Sequence, residues 1–250
     1  MVDTLGSRCT FGIVTPSTNT VVQPEYDDMR PVGVTNHIAR MHIPNDPIGS
    51  DGDFDELIRR IDAALDAAIE RVLTAQPDRL VLGISAESVW GGGMAAAAAI
   101  GRRVDKLSNG LPFTQAADAL PAALKALGVR GKVALVTPYF PIAGKHLTAY
   151  VKEIGYEAGP QCFLSRPSPV DIARTPIPML VDAIREVDAP DVAAIVQFGA
   201  NLPMGRLAAS AEAMLGKPVI AVNVATYWHA LRSAGLNHQM TGYGRLMSEC

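Results

Sequence analysis

Cysteine is scarce in this chain: Cys9, Cys162 and Cys250 are odd in number and far apart. That spacing excludes a disulfide framework and a paired-cysteine metal site. An excess of one charge is also missing. Lys and Arg total 22 against 25 Asp and Glu, a formal net charge of −3, so neither nucleic acid nor a membrane surface is an expected partner. No apolar run approaches the roughly 20 residues of a membrane span. The first residues lack the basic-then-apolar pattern of a secretory leader, and a cytoplasmic protein is the expectation. There is no G-x-G-x-x-G or Walker loop and no His-x-x-x-His pair. Cofactors expected: none, neither nucleotide nor metal.

What is present is a folded, globular composition: 250 residues, 48% hydrophobic and 19% charged. Phe11–Val14, Leu80–Ile84, Val133–Val136, Ala194–Val196 and Val219–Val222 are short, continuous apolar runs. Such runs suit strands covered on both faces, as in a parallel sheet. From Phe54, apolar residues recur at Leu57, Ile58, Ile61, Leu65, Ala68, Ile69 and Val72, the spacing of one helix face. Asp53 and Glu56 read as a capping box at its start. Alternation of strands and helices predicts a doubly wound α/β fold.

The chain also repeats itself. Ile13-Val14-Thr15-Pro16 recurs 122 residues later as Leu135-Val136-Thr137-Pro138. Pro77-Asp78 recurs as Pro190-Asp191, and Leu111-Pro112-Phe113 as Lys217-Pro218-Val219, in the same order. Helices ending at Leu127-Gly128 and Ala234-Gly235 follow the last pair. The expectation is an internal duplication: an N-terminal half of residues 8–115 plus 231–250 and a C-terminal half of 116–230. The halves are two similar parallel-sheet units whose strand-end loops face one shared cleft, because ligands bind beyond the carboxyl ends of parallel strands. Pro44–Gly52, rich in Pro and Gly, reads as a long flexible loop, a lid or a subunit contact. A homo-oligomer is expected.

The first strand runs into Thr15-Pro16-Ser17-Thr18-Asn19-Thr20, small polar groups that can hold a carboxylate without a formal positive charge. The same residues also suit an ordinary helix N-cap. The second strand run ends in Ser85-Ala86-Glu87-Ser88 before Gly91-Gly92-Gly93, where glycine admits close backbone approach or simply a hinge. The matching loops of the other half are Thr137-Pro138-Tyr139 and Gly199-Ala200-Asn201-Leu202-Pro203. Cleft-lining candidates for binding are therefore Pro16, Ser17, Asn19, Ala86, Gly199, Ala200 and Asn201.

The run Thr15-Pro16-Ser17-Thr18-Asn19-Thr20-Val21-Val22-Gln23-Pro24-Glu25 resembles the opening signature of the maleate cis-trans isomerases and arylmalonate decarboxylases, within the aspartate/glutamate racemase superfamily. Val136-Thr137-Pro138-Tyr139, Asn201-Leu202-Pro203 and Gly242-Tyr243-Gly244-Arg245-Leu246 resemble the same family at matching spacings. The resemblance implies two halves related by a pseudo-twofold axis and a cofactor-free site between them, with Asn19 and Tyr139 at positions that bind a substrate carboxylate. The family carries catalytic cysteines after the second strand of one or both halves. Here those positions align with Ser85 and Gly199, so thiol chemistry of the family kind is not available.

Catalysis then falls to Ser85, Tyr139 and Glu87. Glu87, two residues past Ser85, suits a general base or acid if partly buried, or a helix N-terminal carboxylate. His42 and His146 could line the cleft, while His37, His229 and His238 look like ordinary helix or surface positions. The leading reading is a cofactor-independent enzyme isomerising or decarboxylating a small carboxylate or dicarboxylate through an enolate. The alternatives are a hydrolase using Ser85 with Glu87 as base, and a degenerate member that binds an acid without turnover.

Overall fold

A computed structural model describes residues 3–86 and 93–250. In chain order the first elements are β1 (Cys9–Pro16), α1 (Val22–Met29), β2 (Val34–Met41), α2 (Asp51–Leu73), β3 (Arg79–Leu82), α3 (Gly93–Ser108) and β4 (Phe113–Thr114), followed by α4 (Ala116–Ala126). The second half repeats the plan: β5 (Lys132–Thr137), α5 (Ala143–Glu153), β6 (Glu157–Phe163), α6 (Pro169–Ala173), α7 (Ile177–Val187), β7 (Val192–Gln197), α8 (Gly205–Leu215), β8 (Val219–Ala221) and α9 (Val222–Ser233). A short α10 (Arg245–Glu249) follows. Each half holds a four-stranded parallel sheet, ordered β2-β1-β3-β4 and β6-β5-β7-β8. Strand order reverses between β1 and β3 and between β5 and β7, and such switch points open a crevice at the strand ends.

All eight residues of β1 are buried, because helices cover both faces of its sheet. Val14, Met41 and Leu80 pack against Ile61, Leu65 and Ile69 of α2. Fully burying one such aliphatic side chain contributes about 2 kcal/mol. On the other face, Phe11 meets Tyr227 edge-on at 5.7 Å, and Tyr26 stacks on Tyr227 at 4.7 Å. Tyr227 belongs to α9, so a helix of the second half completes the core of the first. This is why α9 is buried almost all round, from Val222 through Leu231.

The apolar runs mark β1, β3, β5, β7 and β8 well, but β2, β4 and β6 lack such runs. β2 is an edge strand with Thr35, Asn36, His37 and Arg40 partly exposed, β4 has two residues, and β6 is half exposed. Cys9 does not precede the first strand; it opens β1, opposite Val34. The cap of α2 is also displaced from Asp53 and Glu56. Ser50 is the N-cap, accepting from Asp53 N, while Asp53 accepts from Gly49 N and the Ser50 hydroxyl. Glu56 pairs with Arg59 and Arg60 instead.

The segment 44–50 is no free loop. Ile48 is buried, its N–H donates to Pro167 O at 2.7 Å, and Asn45 Oδ1 accepts from Val170 N at 2.9 Å. Both bonds cross to the second half, so this stretch straps the halves together, and the helix already begins at Asp51.

Candidate functional site

The switch-point loops of both sheets wall one cavity, whose empty space, mouth included, is about 480 Å³. Pro16, Thr18 and Asn19 line it from the first β1 loop, Ile84 and Ala86 from the β3 loop. Pro138, Tyr139, Gly199, Ala200 and Asn201 face them from the second half. Sequence reasoning missed the remaining wall: Phe54, Leu57, Ile58 and Ile61 of α2, with Pro169 and Ile172 of α6. The lining carries no charged side chain among the described residues, and Tyr139 is its one titratable group.

Polarity comes from neutral donors. Gly199, at φ 120°, adopts a backbone that only glycine takes readily, and a Cβ there would collide with Pro138 Cδ. Its own N–H donates to Ser85 Oγ at 3.1 Å. The next two amides, Ala200 N–H and Asn201 N–H, find no acceptor among the described residues. Ala200 O accepts from Asn223 Nδ2 of α9 at 2.9 Å. In a trans peptide the following N–H points the opposite way, so the Asn201 N–H is turned away from α9. Successive free N–H groups of this kind form an anion-binding concavity.

Tyr139 is buried, with its ring 4.9 Å from that of Phe54 and its hydroxyl 3.4 Å from Ser85 Oγ. Burial pushes its phenol well above the usual tyrosine range, against a smaller opposing effect of the Ser85 hydrogen bond. It stays protonated, so its hydroxyl keeps a hydrogen to donate.

The two ends of the Asn19 amide are differently engaged. Its Oδ1 accepts from Val21 N and Val22 N, both at 2.9 Å, capping the start of α1. Its Nδ2 has no partner among the described residues, in a side chain that lines the cavity. The cap and the ligand readings are therefore compatible.

Other candidates sit elsewhere. Ser85 is fully buried and absent from the lining, tied to Gly199 N and Tyr139. Ser17 is also outside the lining. Its hydroxyl donates to Ile43 O at 3.1 Å and accepts from Ile43 N at 3.0 Å. Asn201 lines the cavity, but its side chain joins the halves: Oδ1 accepts from Thr20 N at 3.0 Å, and Nδ2 donates to Pro169 O at 2.8 Å. Glu87 lies outside the described residues. His42 and His146 do not line the cavity, and His37 is on β2, bonded to Thr35.

The ladders also align the halves residue by residue. Gly83 N donates to Val14 O, and Phe198 N to Val136 O, at 2.7 and 2.9 Å. Gly83 thus corresponds to Phe198, Ile84 to Gly199 and Ser85 to Ala200, so Ser85 and Gly199, read from the sequence as the matching positions of the two halves, are one residue out of register. By the Thr-Pro repeat, Tyr139 corresponds to Ser17, two residues short of Asn19. The two walls use different residues at equivalent positions, so the site is asymmetric despite the pseudo-symmetric frame.

Two facing α/β halves with one shared cavity at their switch points define a class of single-site, two-half proteins. Comparison with known proteins narrows that class. The arylmalonate decarboxylase family model matches residues 51–247, and the chain belongs to that family. An arylmalonate decarboxylase of Bordetella bronchiseptica is 33% identical over 145 residues, covering 57% of this chain and 60% of that protein. The chain spans between about half and three-fifths of the curated relatives it matches, the others being maleate isomerases. Among solved structures, Nocardia farcinica maleate cis-trans isomerase bound to TRIS superposes with a TM-score of 0.86 at 24% identity, covering 96% of this chain and 98% of that one. An unliganded arylmalonate decarboxylase gives 0.75 at 25% identity, covering 97% and 100%.

Proposed function

We propose that this protein is a cofactor-independent lyase of the decarboxylase kind, acting on a small malonic acid, with two carboxyls on one carbon, that also bears an apolar group. The observation that carries the reading is the pair of amides, Ala200 N–H and Asn201 N–H, unpartnered among the described residues, in a wall that is mostly aliphatic and aromatic and carries no charged side chain among them. Loss of CO₂ leaves a carbanion whose charge spreads onto the remaining carboxylate as an enolate. Preorganised N–H and O–H donors in a site with little water favour that charge strongly. Tyr139 adds a third donor, and Asn19 Nδ2 holds the ground-state carboxylate.

No cysteine lines the cavity among the described residues, so in this reading the proton that completes the reaction comes from Tyr139, Glu87 or water. Ser85 serves in this reading as a support. Its hydroxyl fixes Gly199 and Tyr139 from behind, and its complete burial argues against nucleophilic attack on a bound ester.

The test is incubation with phenylmalonate, methylmalonate, maleate and a phenyl ester in D₂O, followed by NMR. Release of CO₂ with deuterium at the α-carbon of phenylmalonate supports the reading. Binding of these acids without exchange, isomerisation or CO₂ loss would show a binding protein, and ester cleavage a hydrolase.

A further inference from the structure

Glu25, on α1, lies outside the cavity lining but holds both ends of the loop that carries its free amides. Its Oε1 accepts from Gly205 N at 2.9 Å, at the start of α8. Its Oε2 accepts from Asn223 Nδ2 at 2.7 Å. The same Nδ2 uses its other hydrogen on Ala200 O at 2.9 Å. One carboxylate thus fixes residue 205 directly and residue 200 through one amide group. We propose that Glu25 is a positioning residue which, when ionised, orients the Ala200–Asn201 peptide so that its N–H faces a bound carboxylate. This rests on the reading of the cavity as a carboxylate site.

The chemistry of the partners selects the ionised form. Gly205 N–H and Asn223 Nδ2 are both donors, and a carboxylate is an acceptor at both oxygens. A proton on Oε2 would face the Asn223 donor and weaken the link to Ala200. Among the described residues no cation pairs with the Glu25 carboxylate. Arg206 of α8 is paired with Asp28 of α1 and lies over the Tyr243 ring, whose hydroxyl also donates to Asp28. Glu212 of α8 accepts from Arg245 N, Tyr227 of α9 donates to Asn36, and Arg40 of β2 bonds Asn19 O and Gln23. Neither Tyr26 beside it nor His37 on β2 hydrogen-bonds to the Glu25 carboxylate. Burial therefore dominates and pushes the Glu25 carboxyl up to about 7, the hydrogen bonds from Asn223 and Gly205 opposing it. The link to the site loop strengthens as pH rises through neutrality.

The experiment follows the backbone amides of Ala200 and Asn201 by ¹⁵N NMR between pH 5.5 and 8.5, with and without phenylacetate, in the wild type, Glu25→Gln and Asn223→Ala. Phenylacetate is ionised throughout that range. In the wild type both amides should shift with one midpoint near neutrality, and phenylacetate should bind several-fold more weakly on the acid side. Glu25→Gln should abolish the midpoint and flatten the binding profile. Asn223→Ala leaves the titrating group in place and should disconnect it from residues 200 and 201. Titration of these amides that persists in both variants, or its absence in the wild type, overturns the proposal. Titrating amides with no phenylacetate binding at any pH would uphold the link and overturn the carboxylate reading of the cavity.

Discussion

Glu25, in the first turn of α1, and Glu153, at the end of α5, make analogous contacts between the two halves. Each carboxylate crosses to the other half and accepts a backbone N–H at the start of the helix after its third strand: Gly205 at 2.9 Å and Met94 at 3.0 Å. A carboxylate at a helix N-terminus is favourable by charge and by hydrogen bonding. The duplicated contact is a staple between halves, but its two copies differ in burial. Glu153 is exposed, whereas burial raises Glu25 to about 7.

That difference gives a pH dependence of stability with a definite sign. The folded-state value of Glu25 lies above the ordinary 4.5, so the folded protein holds a proton that the unfolded chain has released. Its contribution is fully present below the unfolded value and is lost as pH rises through about 7. Thermal denaturation between pH 5 and 8 should show Glu25→Gln losing less stability than wild type over that interval. The exposed counterpart, Glu153→Gln, should run parallel to wild type. Parallel curves for Glu25→Gln would show that Glu25 ionises normally.

Gly199 turns the site loop in a conformation closed to side chains, with Pro138 filling the space of a Cβ. A residue with a Cβ must take both the φ penalty, about 1–3 kcal/mol, and the displacement of Pro138. Gly199→Ala and Gly199→Cys should each lower stability by at least about 2 kcal/mol in urea titrations. Gly199→Cys should not install a working thiol. A stable variant in which that cysteine is rapidly alkylated would show that the loop can rearrange.

Much of this architecture is legible in the chain itself. The continuous apolar runs mark the interior strands, because those strands are covered on both faces. The Thr-Pro repeat and the paired Pro-Asp landmarks fall at equivalent places in the two sheets, so the two-half plan and the loops that meet were readable. The apolar wall on α2 was not. Phe54, Leu57, Ile58 and Ile61 follow the same spacing as the core residues Leu65 and Ile69, and a stripe of that kind does not disclose where core gives way to cavity. Ser85 was read as facing a ligand. Its burial depends on loop rotation, which residue type does not encode. Glu25 was quoted only as the end of a motif, although Asn223 within the buried run Val222–Ala225 is a polar group that must find partners.

Thiol reagents should leave turnover intact. Cys9 and Cys162 are buried, with thiols pushed up to about 11 and about 12 chiefly by burial, and Cys250 lies at the chain end, bonded to Ala126 O. Iodoacetamide at pH 8 should modify Cys250 first, as mass spectrometry would report, without loss of rate. Inactivation that tracks a single adduct and is slowed by substrate would contradict the placement of all three cysteines.

Ser85→Ala removes the acceptor of Gly199 N–H and the neighbour of the Tyr139 hydroxyl. Leaving a buried donor unsatisfied costs about 1–3 kcal/mol, and here the donor belongs to the site loop. Stability should fall by that amount and turnover by at least about tenfold, equivalent to 1.4 kcal/mol of barrier. Ser85→Cys, which restores a weak acceptor of similar size, should recover part of both. Loss of turnover with no loss of stability would instead favour a direct chemical role for the hydroxyl.

In the proposed reaction Tyr139 acts on the transition state and Asn19 on the ground state, and their variants should separate those contributions. The Tyr139 ring is held by Phe54, so Tyr139→Phe keeps the packing and deletes one donor. If that hydroxyl meets charge that develops on an enolate, kcat falls by about 10²–10³ and KM changes little. A rise in KM alone would assign it to ground-state binding. Asn19→Ala deletes the α1 cap together with the free Nδ2, so about 1 kcal/mol of stability goes with it whatever the ligand. Asn19→Asp keeps the cap acceptor and replaces the donor with negative charge. It should retain the stability of wild type yet weaken phenylacetate binding more than binding of its methyl ester. Asn19→Asp with unchanged affinity for the acid would leave Asn19 as a cap only, and the carboxylate would then rest on Ala200, Asn201 and Tyr139.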